Sequence, residues 1–357
     1  MKRKVVVAMS GGVDSSCAAA MLLAQGYDVI GVTLKIWDTK DCGAEKKKSC
    51  CSLRDVEDAR KVAGKLGIPF YVLDCSAEFD KKVIEYFCLE YLKGRTPNPC
   101  VVCNVGIKFG YLLNKAKGLG ASYLATGHYA KVEYDQKNNK FLLKRSADPK
   151  KDQTYVLYGL TQEVLSQVLF PMGAHTKSSV RETAKWFGLC VADKQDSQEI
   201  CFVDQNDYGA FLEKKLGGKI KPGKIVDKSG KVLGEHKGIC FYTIGQRKGM
   251  GVASKHPLYV IQIDAEKNNI VVGTAADLKK KKFVVNNLNW ISGGPPKPIF
   301  NAEVKIRYNH PGAPAEIRLS EDNSAEVEFE TPQQAVTPGQ AAVFYKGDVV
   351  LGGGWIK

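Results

Sequence analysis

The sequence predicts an α/β fold in which a parallel-sheet domain is followed by a small central domain and a C-terminal β-barrel. Strand and helix patterns alternate up to about residue 205, which is typical of a parallel sheet with helices on both faces. Glycine turns and brief strands follow to about residue 280, and almost pure strand-and-turn patterns, typical of a small barrel, continue from there. We therefore place the domains at residues 1–205, 206–280 and 281–357.

The first predicted strand is the apolar run of residues 5–9, and an Ala- and Leu-rich run at 18–23 predicts the helix after it. A turn rich in glycine and serine lies between them: Ser10-Gly11-Gly12-Val13-Asp14-Ser15-Ser16. Glycine lets a backbone approach a ligand closely, and a helix N-terminus offers amide donors and a positive dipole end. The turn is therefore suited to a phosphate or pyrophosphate, which makes the first domain a candidate nucleotide-binding domain.

The side chains of this turn support the same interpretation. The serine hydroxyls add hydrogen-bond donors, and Asp14 is suited to hold a magnesium ion beside phosphates. A Walker loop is excluded, because GxxxxGK(S/T) occurs nowhere in the chain. The simpler alternative is a glycine turn that only caps a helix. A bare glycine pair would favour that alternative, whereas the full SGGxDS pattern after a first strand favours phosphate binding.

Three further strands are predicted for the sheet, at residues 28–37, 70–74 and 123–126. A capping box at 52–55, followed by apolar residues at helical spacing, predicts a helix between the second and third strands. Ligands of such sheets bind at the carboxyl ends of the strands. Gly11-Gly12 and Gly127-His128 both follow such ends, and Leu34 is placed to pack near an adenine.

The later elements are mostly β. Residues 131–134 and 141–144 predict a hairpin that leads into residues 150–155, and a short helix at 208–216 opens the central domain. Apolar and polar residues alternate in three segments that predict barrel strands, at 304–308, 325–329 and 341–345.

Composition narrows the class of protein. The chain has 357 residues, of which 44% are hydrophobic and 25% charged, as in folded globular domains. Its apolar runs are far shorter than the roughly 20 residues of a membrane helix, and the N-terminal run is too short for a signal peptide. We therefore expect a cytoplasmic protein with no membrane partner. The net charge of +14 favours nucleic acid as a partner, although the lysine runs 46–48 and 279–282 are singly more typical of solvated loops.

The 11 cysteines are an odd number, and in a reducing cytoplasm clustered thiols indicate metal binding or catalysis rather than disulfides. Cys100 and Cys103 form a CxxC turn after two prolines, and a helix is predicted to begin at Asn104. Thiols near a helix N-terminus have lowered pKa values and become nucleophiles or metal ligands. Cys201, where a polar stretch becomes apolar, is the third candidate. A structural zinc half-site is the alternative for the CxxC, although no second CxxC exists.

The remaining cysteines fall into two groups. Cys42, Cys50 and Cys51 form a loose cluster in a Lys-rich insertion, where we favour a loop over a metal site. The others lie in apolar sequence, and most of them are predicted to be inert core residues: Cys17, Cys75, Cys88, Cys190 and Cys240.

Seven motifs occur in order along the chain: SGGVDSS, RTPNPxxxCN, ATGHY, KDQTY, DSQEICF, IRY and TPGQ. Together they resemble the bacterial tRNA-specific 2-thiouridylase family of PP-loop ATP pyrophosphatases, from Ala8 to Gln340. The resemblance implies ATP-dependent 2-thiolation of the wobble uridine of tRNA. It also implies ATP binding by a set of residues at the carboxyl ends of the first strands: Ala8, Met9, Ser10, Gly11, Gly12, Val13, Asp14, Ser15, Leu34 and Gly127.

In this family ATP adenylates the uridine C2 oxygen, and a sulfur nucleophile then attacks C2. The resemblance implies that Cys201 carries a persulfide and that Cys103 is the nucleophile that releases the sulfur and can form a disulfide with Cys201. The chemistry fits the residue type, because a uridine carbonyl needs activation and a low-pKa thiol handles sulfur best.

The resemblance also implies contacts with tRNA, whose target base must leave its stack to be reached. Asn98, Pro99 and Cys100 match the segment that contacts the target base. The other positions that match tRNA contacts are His128, Lys151, Asp152, Gln153, Arg307, Tyr308 and Gln340. A sulfur donor such as a cysteine desulfurase or a sulfur-relay protein is implied as a further partner.

One position departs from the family pattern, because many members have Asp where this chain has Cys100. Three thiols at Cys100, Cys103 and Cys201 could hold a 4Fe–4S cluster with one open iron for sulfide. The alternative is the metal-free persulfide route.

Two other functions stay open. An ATP-dependent ligase acting on a small molecule would need neither the cysteine pair nor the positive charge. A non-catalytic RNA-binding protein would not need the intact set of Ser10, Asp14 and Ser15.

Overall fold

The computed structural model describes residues 2–36, 53–196, 200–203 and 207–357. None of its helices is both long and apolar enough to cross a membrane. Several features named above lie outside the described residues: Trp37, the lysine run 46–48, Ser52 of the capping box, residues 197–199 of the DSQEICF motif, and Cys42, Cys50 and Cys51.

The first domain is built on a parallel sheet. Its strands are β1 (Lys4–Ala8), β2 (Asp28–Lys35), β3 (Phe70–Asp74), β4 (Tyr123–Ala125), the hairpin β5 (Lys131–Asp135) and β6 (Lys140–Lys144), and β7 (Val168–Leu169). Five of them form one sheet in the order β3-β2-β1-β4-β7, with every pairing parallel. The central strand β1 is apolar because helices cover both of its faces, and Val5, Val6 and Val7 are fully buried.

The helices, in chain order, are α1 (Val13–Ala24), α2 (Leu53–Leu66), α3 (Ser76–Phe79), α4 (Glu85–Leu92), α5 (Pro99–Cys103), α6 (Leu113–Gly118), α7 (Gln162–Leu165), α8 (Lys177–Trp186) and α9 (Tyr208–Leu216). Short π-helical stretches connect α3 to α4 and α5 to α6. The apolar side of α1 shares a core with β1 and α8, through Ala18, Val5 and Val180.

The central domain is a small four-stranded sheet with its own core. Its strands are β8 (Gly223–Val226), β9 (Val232–His236), β10 (Tyr259–Asp264) and β11 (Asn269–Gly273), in the order β10-β11-β8-β9. Ile225, Val260 and Ile270 fill the core of this sheet. Helix α9, which precedes the sheet, packs on both domains: Leu212 joins the cluster around Phe87 of the first domain, and the same cluster contains Cys240 of the central domain.

Six C-terminal strands close into a barrel. They are β12 (Lys279–Trp290), β13 (Ile299–Lys305), β14 (Ala313–Leu319), β15 (Ser324–Gln334), β16 (Ala341–Lys346) and β17 (Val349–Ile356). They pair in the order β12-β15-β14-β13-β16-β17, and the additional pairing of β12 with β17 closes the ring. The barrel core is apolar, with Ile317, Phe329 and Phe344 fully buried.

The hairpin β5–β6 lies in the first domain of the sequence but extends the sheet of the barrel. Val349 of β17 pairs with Lys144 of β6, which brings that sheet to eight strands. The two domains also share one core, in which Tyr155 and Tyr345 are fully buried. The first domain and the barrel therefore meet over a continuous apolar surface.

Candidate active site

The turn formed by residues 10–16, called here the PP-loop, lies where the order of the parallel strands reverses. Strands β2 and β3 lie on one side of β1, and β4 lies on the other. Open α/β sheets bind ligands at such a switch point, beyond the carboxyl ends of the strands. Gly127, after β4, packs so closely against the PP-loop that a Cβ atom there would lie 2.6 Å from Ser15 N. The structure thus brings together two segments that were predicted to contact the nucleotide.

Hydrogen bonds within the PP-loop preform its shape. Ser10 N donates to Ser15 Oγ at 3.1 Å, and the hydroxyls of Ser15 and Ser16 donate to Gly12 O at 3.3 and 2.8 Å. Gly12 is the N-cap of α1 and makes no side-chain hydrogen bond to the first-turn amides. A helix N-terminus of this kind presents amide donors and a positive dipole end to an anion.

Gly11 and Lys194 hold the PP-loop against α2. Gly11 has a φ of +71°, and a Cβ atom there would lie 2.2 Å from Asp55 O, so only glycine fits. Lys194 Nζ donates to Gly11 O at 2.9 Å and to carboxylate oxygens of Asp55 and Asp58 at 2.6 Å each. Burial opposes the charge of Lys194, but the two carboxylates raise its pKa above the ordinary value. The Lys194 ammonium therefore stays charged and holds the PP-loop against α2 through its hydrogen bonds.

Asp14 belongs to a chain of ion pairs that leaves the PP-loop. Lys177 Nζ lies 2.7 and 2.8 Å from the two carboxylate oxygens of Asp14, and 2.7 Å from Asp196 Oδ1. Lys151 Nζ is 2.6 Å from the other oxygen of Asp196, and Tyr129 donates its hydroxyl to Asp14 at 2.7 Å. Burial opposes ionisation of Asp196, but Lys151 and Lys177 hold its pKa below the ordinary value. The chain of ion pairs links the PP-loop to Asp196, which lies five residues before Cys201 in the sequence.

The sequence did not identify Lys177 or Lys194, and it marked Asp196 only as the first residue of the DSQEICF motif, because no spacing relates these residues to the PP-loop. One feature of the chain could have identified Lys177. Lys177 is the first residue of α8, where the helix dipole disfavours a cation. A lysine at that position needs an acidic partner from elsewhere in the fold.

The thiols at Cys100 and Cys103 lie on α5, and here the expected helix start was wrong. The helix begins at Pro99 rather than at Asn104, because Asn98 caps it by accepting a hydrogen bond from Val101 N at 3.4 Å. Proline is favoured at the first helical position, so Pro99 starts the helix, and only Pro97 lies in the approach to it. Cys100 is exposed in the first turn, and Cys103 is half-buried at the end of α5.

Cys103 and Cys201 pack against the same apolar cluster, which also contains Cys75. Cys75 follows β3 directly, and burial and then the neighbouring Cys103 raise its pKa to about 12. Burial also raises the pKa of the other core thiols, Cys17, Cys88 and Cys240. The prediction that most of these cysteines are core residues is thus confirmed, since four of the five are buried and only Cys190 is exposed.

No three His, Cys, Asp or Glu side chains of the described residues are grouped so as to hold a metal ion. Cys100, Cys103 and Cys201 are all described, so their thiols do not form a three-ligand site in this arrangement. Asp14 is the one described carboxylate of the PP-loop, and it is paired with Lys177.

Several residues predicted to contact tRNA have protein partners of their own. His128 is buried, its Nδ1 lies 2.7 Å from Thr126 Oγ1, and burial together with Lys108 holds its pKa well below the ordinary value. Asp152 accepts from Ser146 N at 3.1 Å, and Gln153 accepts from the amide of Tyr129 at 2.9 Å.

On the barrel side, Tyr308 is 39% exposed and its ring meets that of Tyr155 edge-on at 6.2 Å. Burial first, and then the charges of Asp152 and Cys100, raise the pKa of Tyr308 to about 12. Arg307 donates to Gln334 O at 3.0 Å. Gln340 donates to the carbonyls of Thr96 and Pro97, just before α5. The structure therefore gathers α5, Tyr308, Asp152 and Gln340 in one region.

Comparison with protein families divides the chain in three. Residues 3–205 match the model described as tRNA methyl transferase HUP domain, residues 209–274 match the tRNA methyl transferase PRC-barrel domain, and residues 280–356 match the aminomethyltransferase beta-barrel domain. These descriptions agree with the parallel-sheet domain, the small central domain and the C-terminal barrel of the predicted fold class.

Curated relatives match over their whole length. The tRNA-specific 2-thiouridylase MnmA of Acetivibrio thermocellus is 53% identical over 357 residues, covering 100% of this chain and 99% of the relative. MnmA of Carboxydothermus hydrogenoformans is 52% identical, with 100% and 98% covered. MnmA 1 of Thermoanaerobacter pseudethanolicus is 53% identical, with 99% and 98% covered.

Proposed function

The chain belongs to the tRNA-specific 2-thiouridylase family, and from this premise we propose that it catalyses ATP-dependent 2-thiolation of the wobble uridine of tRNA. One observation carries the proposal. The PP-loop follows β1, and Cys75, which belongs to the buried cluster that Cys103 and Cys201 pack against, follows β3 of the same sheet. Because parallel strands end at one edge, the anion-binding turn and the reactive thiols share the edge where such sheets bind ligands.

ATP binds at this edge, with its phosphates on the PP-loop amides at the N-terminus of α1. Leu34 and Gly127 line the nucleotide, and the cation of Lys177 offsets the phosphate charge. The C2 oxygen of the uridine attacks the α-phosphate and pyrophosphate leaves. The polarised C2 atom then carries AMP as its leaving group.

Sulfur reaches C2 through the two cysteines. Cys201 carries a persulfide, whose terminal sulfur attacks C2 and displaces AMP. Cys103 attacks the Sγ atom of Cys201, which breaks the persulfide bond and leaves a Cys103–Cys201 disulfide for an external thiol to reduce. The exposed first turn of α5, with Asn98, Pro99 and Cys100, receives the flipped base, and Tyr308 lies beside it.

Magnesium fits the PP-loop, since Mg²⁺ is usually held by one or two carboxylates together with substrate phosphates rather than by a protein cage. Asp14 is the carboxylate that would hold the ion, which would neutralise part of the phosphate charge. A 4Fe–4S cluster on Cys100, Cys103 and Cys201 fits less well, because the described thiols are not grouped as a metal site. We therefore derive no step through a cluster and propose the persulfide route.

The remaining partners follow from this chemistry. The persulfide must be loaded by a sulfur donor such as a cysteine desulfurase or a sulfur-relay protein. Substrate tRNA and such donors place the reaction in the cytoplasm. The net charge of +14 supports binding of the tRNA backbone.

The test is anaerobic single-turnover formation of 2-thiouridine from unmodified tRNA and Mg-ATP, with the sulfur supplied as persulfide by a cysteine desulfurase and free cysteine, read by mass spectrometry of nucleosides. Iron-free protein and protein reconstituted with iron and sulfide are compared side by side. Equal product from both supports the persulfide route. Product only from the reconstituted protein assigns the sulfur to a cluster. Absence of product from both, with a persulfide-loading donor added, contradicts the proposed function.

A further inference from the structure

The barrel reaches the thiol helix through one turn, formed by residues 337–340 and called here the barrel turn. Gln340 Nε2 donates to Thr96 O at 3.0 Å and to Pro97 O at 3.2 Å. In return, Thr96 N donates to Pro338 O at 2.8 Å. These three hydrogen bonds clamp the two residues that immediately precede the cap of α5.

The contact is too close for any larger residue at Gly339. Its φ is +88°, and a Cβ atom there would lie 2.9 Å from Thr96 O and 3.0 Å from Arg95 Cβ. The turn is also fixed to the barrel, since Gly339 N donates to Ile356 O at 2.9 Å and Ile356 N donates to Gln340 O at 2.8 Å. The barrel turn is therefore a rigid support rather than a mobile loop tip.

The chain between the clamp and the thiols has few soft torsions. Pro97 and Pro99 each have a fixed φ, and the residues before them, Thr96 and Asn98, are restricted by the prolines. The Asn98 side chain then caps α5. A displacement of Thr96 is thus passed on to Cys100 and Cys103 instead of being absorbed on the way.

We propose that Gln340 is a positioning residue for sulfur transfer, which sets the orientation of α5 and its thiols relative to the target base. This inference rests on the proposed function and deepens it, because it gives the barrel a part in the chemical step. A primary amide has two N–H donors, and the amide nitrogen of Gln340 donates to two protein carbonyls. A role limited to binding RNA would not require that arrangement.

Two substitutions remove the donors in different ways. Gln340→Glu has nearly the same shape but places carboxylate oxygens against two carbonyl oxygens. Gln340→Met keeps the length without donors or charge. The matched control is Gln333→Glu, because Gln333 Nε2 also donates to a backbone carbonyl of the barrel, that of Thr331, at 2.8 Å and away from α5.

Each variant is measured in three ways: the single-turnover rate of 2-thiouridine formation at saturating tRNA and ATP, the Kd for tRNA, and the rate of Cys103 alkylation in tRNA-free protein. We expect both Gln340 variants to lower the saturated rate by roughly 10- to 100-fold, since misplacement of about 1 Å costs about that much. The alkylation rate should change as well, while the Kd stays within about threefold. Gln333→Glu should match the wild type in all three.

A wild-type rate at saturating tRNA overturns the proposal, even if the Kd rises. A reduced rate with unchanged alkylation also overturns it, because the thiols then have not moved. If one Gln340 variant does not fold, as judged by its thermal melt, the other decides. If the wild type makes no 2-thiouridine, the proposed function fails, and alkylation of Cys103 still tests whether Gln340 sets the thiol geometry.

Discussion

The PP-loop and the thiol region are built in opposite ways. The PP-loop is one contiguous run between β1 and α1, and its own serines hold its shape. The thiol region combines α5 with Cys201, from far along the chain, and is supported by the barrel turn. Local hydrogen bonds therefore define the first site, whereas tertiary packing defines the second. The two halves of the reaction should respond to different kinds of substitution.

The largest expected effect, that of Cys201→Ser, separates adenylation from sulfur transfer. Cys201→Ser removes the sulfur carrier, so we expect 2-thiouridine formation to fall by roughly 1000-fold or more, because the nucleophile has no substitute. Release of pyrophosphate in a single turnover with tRNA bound should stay within a few fold of the wild type, because adenylation of the C2 oxygen precedes the sulfur attack. Cys190→Ser, at an exposed thiol outside the site, is the control and should leave both measurements unchanged. Retained thiolation by Cys201→Ser would contradict the assignment of the sulfur carrier.

The same contrast explains how much the sequence could predict. The four strands at 5–9, 28–37, 70–74 and 123–126, and the PP-loop, were predicted because apolar runs and a contiguous motif encode them. The predicted start of α5 was wrong, because the prolines were interpreted as a stiff approach to the helix. In the structure Asn98 caps a helix that begins at Pro99. The pairing of the hairpin β5–β6 with the barrel sheet was not predictable from sequence. Val349 and Lys144, which form this pairing, are separated by more than half of the sequence.

Gly127→Ala tests whether the PP-loop depends on close packing. A Cβ atom at this position would lie 2.6 Å from Ser15 N and 2.8 Å from the backbone carbon of Asp14, so the loop must shift. We expect the KM for ATP to rise and AMP formation to fall, together by roughly 10- to 100-fold. Gly118→Ala is the control, because it lies at the end of α6 with no atom within 4 Å of its Cβ position. Equal kinetics for both variants would contradict the close packing.

Lys177→Met tests the ion pairs that connect Asp14 of the PP-loop to Asp196. The substitution removes the ammonium that Asp14 and Asp196 share. It therefore also removes the positive charge that is proposed to act on the phosphates. We expect AMP formation to fall by about 10- to 100-fold, at or below the roughly 100- to 1000-fold that loss of one oxyanion-hole donor costs. Lys185→Met on the same helix is the control, because its pair with Asp193 is largely exposed and contributes little. If the two variants form AMP equally fast, Lys177 has no such role.

The smallest effect concerns acid stability. The pKa of His128 is lowered by burial and by Lys108, so below about pH 6.5 the unfolded chain binds a proton that the folded chain does not. Stability must therefore fall as the pH falls, by at most about 1.4 kcal/mol per pH unit from this group. Thermal melts between pH 7 and 5 should show a shallower decline for His128→Asn than for the wild type.

His236 and His310 also have lowered pKa values, so a residual decline is expected in that variant, and the exposed His256→Asn should not change the slope. Tyr308, in the thiol region, has a raised pKa and does not titrate in this range. Of His128 and Tyr308, only the histidine beside the PP-loop should therefore contribute acid sensitivity. Identical slopes for His128→Asn and the wild type would mean that His128 takes up its proton in the folded protein, which its burial beside Lys108 opposes.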